Sequence, residues 1–148
     1  MTPPKILPPH YFVLSLALIM TIGLLEGSNL LPSPWQYLGV LPIVIGVLIA
    51  AQGSRLFAKA GTNIIPFTES SALVTTGVFA YSRNPMYTGM LLALAGTALI
   101  MNGLLAWVVV IAFTVIIRVQ FIRGEEALME KTFGDEYVHY RSSVRRWI

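Results

Sequence analysis

Arg83-Asn84-Pro85-Met86-Tyr87-Thr88-Gly89 stands where a polar stretch enters an apolar one, and Glu125-Glu126 follows beyond the next two apolar runs. Residues of these types can hold a small charged ligand. Proline disfavours helical geometry in the residue before it and suits a first helical turn. Asn84 therefore reads as an N-cap with Pro85 at the first helical position. Such a helix start offers free N–H groups and a positive dipole end to a carboxylate or phosphate, with Arg83 beside it. Glu125 and Glu126 add carboxylates for a cation or a proton. Adjacent helical residues point about 100° apart, so the two do not address one ligand equally. Each group also has a plain structural reading. Arg83 fits a basic flank, Tyr87 an interfacial aromatic, and Glu125-Glu126 a solvated helix turn paired with Arg123.

The elements that would position these groups are apolar. Of 148 residues 55% are hydrophobic and 11% charged, which points to one domain with the bilayer as its solvent. The long apolar stretches are Tyr11 to Leu25, Trp35 to Ala51, Tyr87 to Met101 and Leu104 to Ile122. Each approaches or reaches the roughly 20 residues that cross about 30 Å of hydrocarbon. The expected fold class is therefore all-α: a polytopic membrane protein with about four transmembrane helices. A soluble bundle would show polar outer faces, which Leu38 to Ala51 and Leu104 to Ile117 lack. Only Asn102-Gly103 separates the last two stretches, so they read as a tight hairpin that returns Glu125 to the side Arg83 occupies.

Lys5, Arg55, Lys59 and Arg83 flank the spans on one side, together with every Lys and Arg from Arg118 onward. The turns around Ser28 to Pro34 and at Asn102-Gly103 carry none. The positive-inside rule then places both termini and the middle loop in the cytoplasm, and a bacterial inner membrane is the expected location. The first stretch lacks a cleavage-type flank and reads as a retained span. Without cysteine, thiol chemistry and thiolate metal sites are excluded, and two distant histidines suggest no metal.

Gln52 to Ser82 is long for a mere connection and predicts a structured re-entrant or surface loop on the cytoplasmic side. Met1 to Pro9 reads as an extended lead-in on that surface. Glu125 to Phe133 predicts a helix stopped by Gly134, and Glu136 to Arg141 a second, making a short cytoplasmic C-terminal helical segment. Arg141, Arg145 and Arg146 would meet anionic headgroups, with Trp147 anchoring the end. Gly46, Ala50 and Ser54, and Gly89, Ala93 and Thr97, form small-residue stripes suited to close helix packing. The acceptor of any reaction is expected to enter from the bilayer between those two spans.

Three segments together carry a resemblance. They are Gly77 to Gly89, Glu125-Glu126-Ala127-Leu128, and Phe133 to Tyr140 with the Arg145-Arg146-Trp147 ending. From about Pro66 to Ile148 the chain resembles the isoprenylcysteine carboxyl methyltransferase and phospholipid methyltransferase superfamily of integral membrane enzymes. The resemblance implies a single methyltransferase domain over residues 1–148, with its cofactor-binding part at about 66–148. It implies S-adenosylmethionine as cofactor, held by Gly77, Tyr81, Arg83, Asn84, Pro85, Tyr87, Gly89, Glu125, Glu126, Tyr137 and Tyr140. Glu125, Glu126 and Arg83 are the candidate catalytic residues. Family members often carry His where this chain has Asn84, and Asn cannot act as an imidazole base.

The expected function is S-adenosylmethionine-dependent methyl transfer to a lipid-like or small hydrophobic acceptor at the cytoplasmic membrane face. Its partners would be membrane lipids and that acceptor, with no metal and no nucleic acid. The alternative is a small four-span transporter or membrane assembly subunit without catalysis. A transporter commonly places an ionisable group in mid-membrane; spans two to four have none, and Glu26 reads as interfacial.

Overall fold

The computed structural model describes residues 6–26, 30–62, 65–68 and 70–148, so expectations resting on Lys5, Ser28, Asn63 and Ile64 lie outside the described residues. Among the described residues all regular structure is helical. Helix α1 spans Pro8–Glu26, and a 3-10 turn at Trp35–Gly39 runs into α2, Val40–Lys59. A loop and a 3-10 turn at Gly77–Ala80 lead to α3, Pro85–Met101. Helices α4, Leu104–Ile117, and α5, Arg123–Phe133, are joined by a π-helical segment at Arg118–Ile122, and α6 spans Asp135–Ser143.

Three helices are long and apolar enough to cross a bilayer: Pro8–Glu26, Trp35–Lys59 and Leu104–Phe133. The fourth expected span, α3, is a shorter apolar helix of 17 residues. It is also the most enclosed, burying Thr88, Gly89, Ala93, Leu94, Gly96 and Ala98. The outer helices bury little and expose Leu14, Leu18, Leu41, Leu48, Val108 and Ile111, the pattern of helices whose outer faces meet lipid. Ile19, Leu94, Val110, Phe113, Ile117 and Phe121 pack into the buried core.

The small-residue stripes pack helix on helix. A Cβ on Gly46 would fall on the carbonyl oxygen of Gly89, and one on Gly89 on that of Gly46. Gly39 and Gly96 repeat the arrangement two turns further along. The route between α2 and α3 expected for the acceptor is therefore closed, because the two backbones are in contact there. Gly46→Ala must spread backbone from backbone and is expected to cost about 1–3 kcal/mol. Gly53→Ala meets nothing closer than the flexible Met86 side chain, at 3.1 Å, and should cost less. Thermal unfolding in detergent checks the order.

The α3–α4 hairpin closes as expected, with Asn102 left-handed at φ 58. Its amide holds Leu31 at both backbone groups, each at 2.8 Å. Glu26 is more than interfacial: its carboxylate accepts the N–H groups of Leu104 at 3.0 Å and Leu105 at 3.1 Å, capping α4. Such a cap satisfies donors that a helix start leaves unpaired.

The fourth span and the charged helix after it, read as separate stretches in the sequence, run together. Leu104–Phe133 is one continuous 30-residue helix. The N–H of Arg123 bonds back to the carbonyl of Arg118, the longer π spacing. At roughly 1.5 Å per residue this rod is about 45 Å long, more than the roughly 30 Å of hydrocarbon. It ends at Gly134, φ 52, where α6 begins. The middle loop is structured: Ser71 donates its N–H to Thr62 and its hydroxyl to the Gly61 carbonyl.

Candidate functional site

A cavity of about 260 Å³ opens where the start of α3, helix α5, the middle loop and the start of α1 converge. Its polar groups are few and cluster together. Arg83, Asn84, Pro85, Tyr87, Glu125, Glu126 and Tyr137 line it, and most of the remaining wall is apolar. The other residues expected around a ligand stand off it. Tyr81 is exposed. A Cβ on Gly77 would meet Leu56, and Gly89 packs on α2. Tyr140 donates its hydroxyl to the Phe79 carbonyl at 2.6 Å, bracing the cavity wall from behind.

The helix start forms as expected in position but not in chemistry. Asn84 occupies the N-cap and Pro85 the first turn, yet the Asn84 side chain makes no capping bond. Its Nδ2 donates instead to the Arg146 carbonyl at 3.0 Å. The backbone N–H of Asn84 goes to Ser82 Oγ at 3.2 Å, and Ser82 is itself buried.

The two carboxylates have different partners. Tyr87 donates its hydroxyl to Glu125 Oε1 at 2.8 Å. Glu126 is gripped by two guanidiniums: Arg83 Nη2 at 2.8 Å, and Arg146 through Nε at 3.0 Å and Nη2 at 2.6 Å. The 100° offset of consecutive helical residues separates them in this way. Neither pairs with Arg123, as the sequence suggested.

Arg83 is also committed to the chain's own tail. Its Nη1 donates to the carbonyls of Arg141 and Val144, at 2.9 and 2.8 Å, and its backbone N–H to Arg145. With only 9% of its side chain exposed, it cannot present the open fork expected for a ligand carboxylate. One donor is left over. Arg83 Nε is buried without a hydrogen-bond partner among the described residues, a state that costs free energy unless a ligand supplies an acceptor.

Two of the three tail arginines have carboxylate partners within the chain. Arg141 pairs with Glu130 at 2.7 Å and Arg146 with Glu126, while Trp147 packs against the core rather than anchoring in lipid. Burial, and then the Glu126 charge, push the Tyr137 hydroxyl up to about 12, so it stays a neutral donor on the cavity wall. Burial likewise pushes Tyr140 up to about 12.

Several wall residues lie outside the expected set. Leu7, Pro8 and Pro9, read as a surface lead-in, close one side, and Phe57, Ile65 and Phe67 supply others. No periodicity marks them, because they belong to helix ends and a loop. Among the described residues no cluster of three or more potential metal ligands occurs.

The phospholipid methyltransferase family matches residues 35–136. The chain is 30% identical to protein-S-isoprenylcysteine O-methyltransferase A of Arabidopsis thaliana over 86% of this chain and 70% of that one. It is 28% identical to the Saccharomyces cerevisiae protein-S-isoprenylcysteine O-methyltransferase over 72% of this chain and 46% of the yeast protein. An uncharacterized Haemophilus influenzae protein is 43% identical over its whole 63 residues, covering 43% of this chain. Among solved structures, the eukaryotic intramembrane Ras methyltransferase (isoprenylcysteine carboxyl methyltransferase) superposes with a TM-score of 0.72 at 22% identity. That match covers 93% of this chain and 50% of the solved one, so the fold is shared while the chain spans half its length.

Proposed function

Because the chain belongs to the phospholipid methyltransferase family of membrane methyltransferases, we propose that its cavity binds S-adenosylmethionine and directs methyl transfer to a lipid-like or small hydrophobic acceptor. One observation carries the assignment of roles. Glu126 is neutralised by two guanidiniums, whereas Glu125 is held only by Tyr87 and keeps Oε2 without a hydrogen bond from the described residues. Glu125 is thus the carboxylate available to a cation in the cavity.

The residues present fit the cofactor. Its sulfonium suits Glu125 and the aromatic faces of Tyr87 and Tyr137. Its carboxylate suits the orphaned Arg83 Nε and the first turn of α3, which has no side-chain cap among the described residues. When bound, S-adenosylmethionine supplies a methyl group on positive sulfur, ready for in-line displacement. The chain's part is mainly positioning, which can contribute much of such a barrier. Tyr87 fixes the orientation of Glu125. Glu126, with Arg83 and Arg146, ties α5 to the start of α3 and to the tail, and so holds the wall together rather than reacting. Asn84 offers no base and is engaged with Arg146. For an acceptor that arrives protonated, Glu125 is the group able to take the proton.

The apolar walls suit a hydrocarbon-bearing acceptor, and the relatives named for isoprenylcysteine support a prenyl-type thioether carboxylate as the first class to try. The distribution of Lys and Arg supports a cytoplasmic mouth and cytoplasmic termini in a bacterial inner membrane. We read residues 1–148 as one methyltransferase domain whose cofactor part, about 66–148, borrows walls from Leu7 to Pro9 and Phe57.

Calorimetric titration of S-adenosylmethionine into the detergent-purified protein tests the reading. Saturable binding is expected. A folded protein that takes up no cofactor would overturn it.

A further inference from the structure

Phe67 has a backbone conformation that bulky residues rarely adopt. Its φ is 61°, in the left-handed region, which is strained for a side chain other than glycine. A tight turn surrounds it: Thr68 donates both its N–H and its hydroxyl to the Ile65 carbonyl. Strain of this kind persists where the surroundings over-determine it, and here the ring shows what they fix. It lies so close over Gly124 that a Cβ on that glycine would overlap it. It also stands 6.2 Å from the Phe121 ring, tilted by 36°. Gly124 directly precedes Glu125, so the missing side chain forms a seat that sets the aromatic ring flush against the turn carrying the free carboxylate. The same ring lines the cavity.

We propose that Phe67 is a specificity-determining residue, whose ring, seated on Gly124, limits the bulk of the hydrocarbon that an acceptor can bring beside Glu125. The inference rests on the methyl-transfer reading for the identity of the ligand, but not for the shape of the wall. Two substitutions change that wall in opposite senses. Phe67→Ala removes the ring and enlarges the cavity. Gly124→Ala puts a methyl group where the ring sits and displaces the ring that lines the cavity.

The test uses N-acetylcysteine thioethers carrying octyl, dodecyl and hexadecyl chains. Their dissociation constants are measured calorimetrically on full-length protein in one detergent, with S-adenosylhomocysteine release followed in parallel. Phe67→Ala is expected to shift the hexadecyl-to-octyl affinity ratio about tenfold towards the longer chain, and Gly124→Ala to shift it towards the shorter one. Should Gly124→Ala fail to fold, the Phe67→Ala/Gly124→Ala pair must recover folding, since the colliding ring is gone; failure to recover overturns the seat. Unchanged ratios in folded variants, shifts of the same sign, or no binding of any thioether to the unsubstituted protein overturn the proposal. Opposite shifts in affinity without product keep Phe67 in its role and instead overturn methyl transfer to these thioethers.

Discussion

Glu126→Ala is expected to destabilise the fold by about 3–5 kcal/mol, the cost of stripping the partner from buried charge. The carboxylate is 11% exposed and meets Arg83, whose side chain is 9% exposed, and Arg146. Without it the mostly buried Arg83 guanidinium and the partly exposed Arg146 guanidinium face each other with no anion between them. Arg83 also fastens the tail at Arg141, Val144 and Arg145, so the loss should spread to α6. Thermal and denaturant unfolding in a single detergent would measure it. Glu126→Gln, which keeps an acceptor but not the charge, should fall between. An alanine variant that unfolds with the unsubstituted protein would mean that the three-residue cluster contributes nothing net.

Glu125→Gln should act in the opposite way, leaving the fold and weakening the ligand. An amide oxygen can still accept the Tyr87 hydroxyl, so the unfolding midpoint should hardly move. What disappears is the negative charge proposed to face the sulfonium. A charge-assisted contact contributes about 1.5–3 kcal/mol, so S-adenosylmethionine affinity should fall roughly tenfold to a hundredfold, read by calorimetry. Unaltered affinity would place the sulfonium elsewhere. Together the adjacent glutamates form a control on each other: one substitution should move stability, the other binding.

Local features were legible in the sequence. The apolar runs are spans because their composition admits little else. Asn102-Gly103 is a hairpin turn because Asn tolerates the left-handed conformation, and Gly134 stops α5 because glycine accepts its positive φ. The helix start at Pro85 follows from proline's fixed geometry. Illegible were contacts between residues remote in the chain. Nothing near Glu126 indicates that Arg146 rather than Arg123 will hold it, and nothing in Glu26 announces that it caps a helix starting at Leu104. Reading Leu104 to Ile122 and Glu125 to Phe133 as separate stretches reflected a change of composition. Polarity changes there, but no residue between Ile122 and Glu125 forces the helix to end. Arg83 lines the cavity, but its bonds to the tail were not legible, because the carbonyls that occupy it come from a segment whose path the sequence does not reveal.

The π segment at Arg118–Ile122 gives the chain an angular spacer. In an α-helix each residue advances the facing direction by about 100°, so the rotational phase of α5 is fixed by how many residues separate it from α4. The wider turn closing at Arg123 accommodates a residue that a regular α-helix would have to express as rotation. In the language of insertions and deletions, this turn is where the count of residues and the aim of Glu125 and Glu126 are reconciled. A lineage that lost one residue here could tighten the turn to α spacing with the core above it undisturbed. The position beside Tyr87 would then stay with Glu125, and only a loss that kept the wide turn would hand it to Glu126. Placing two identical side chains in succession just beyond such a turn leaves a carboxylate in that position in either phase.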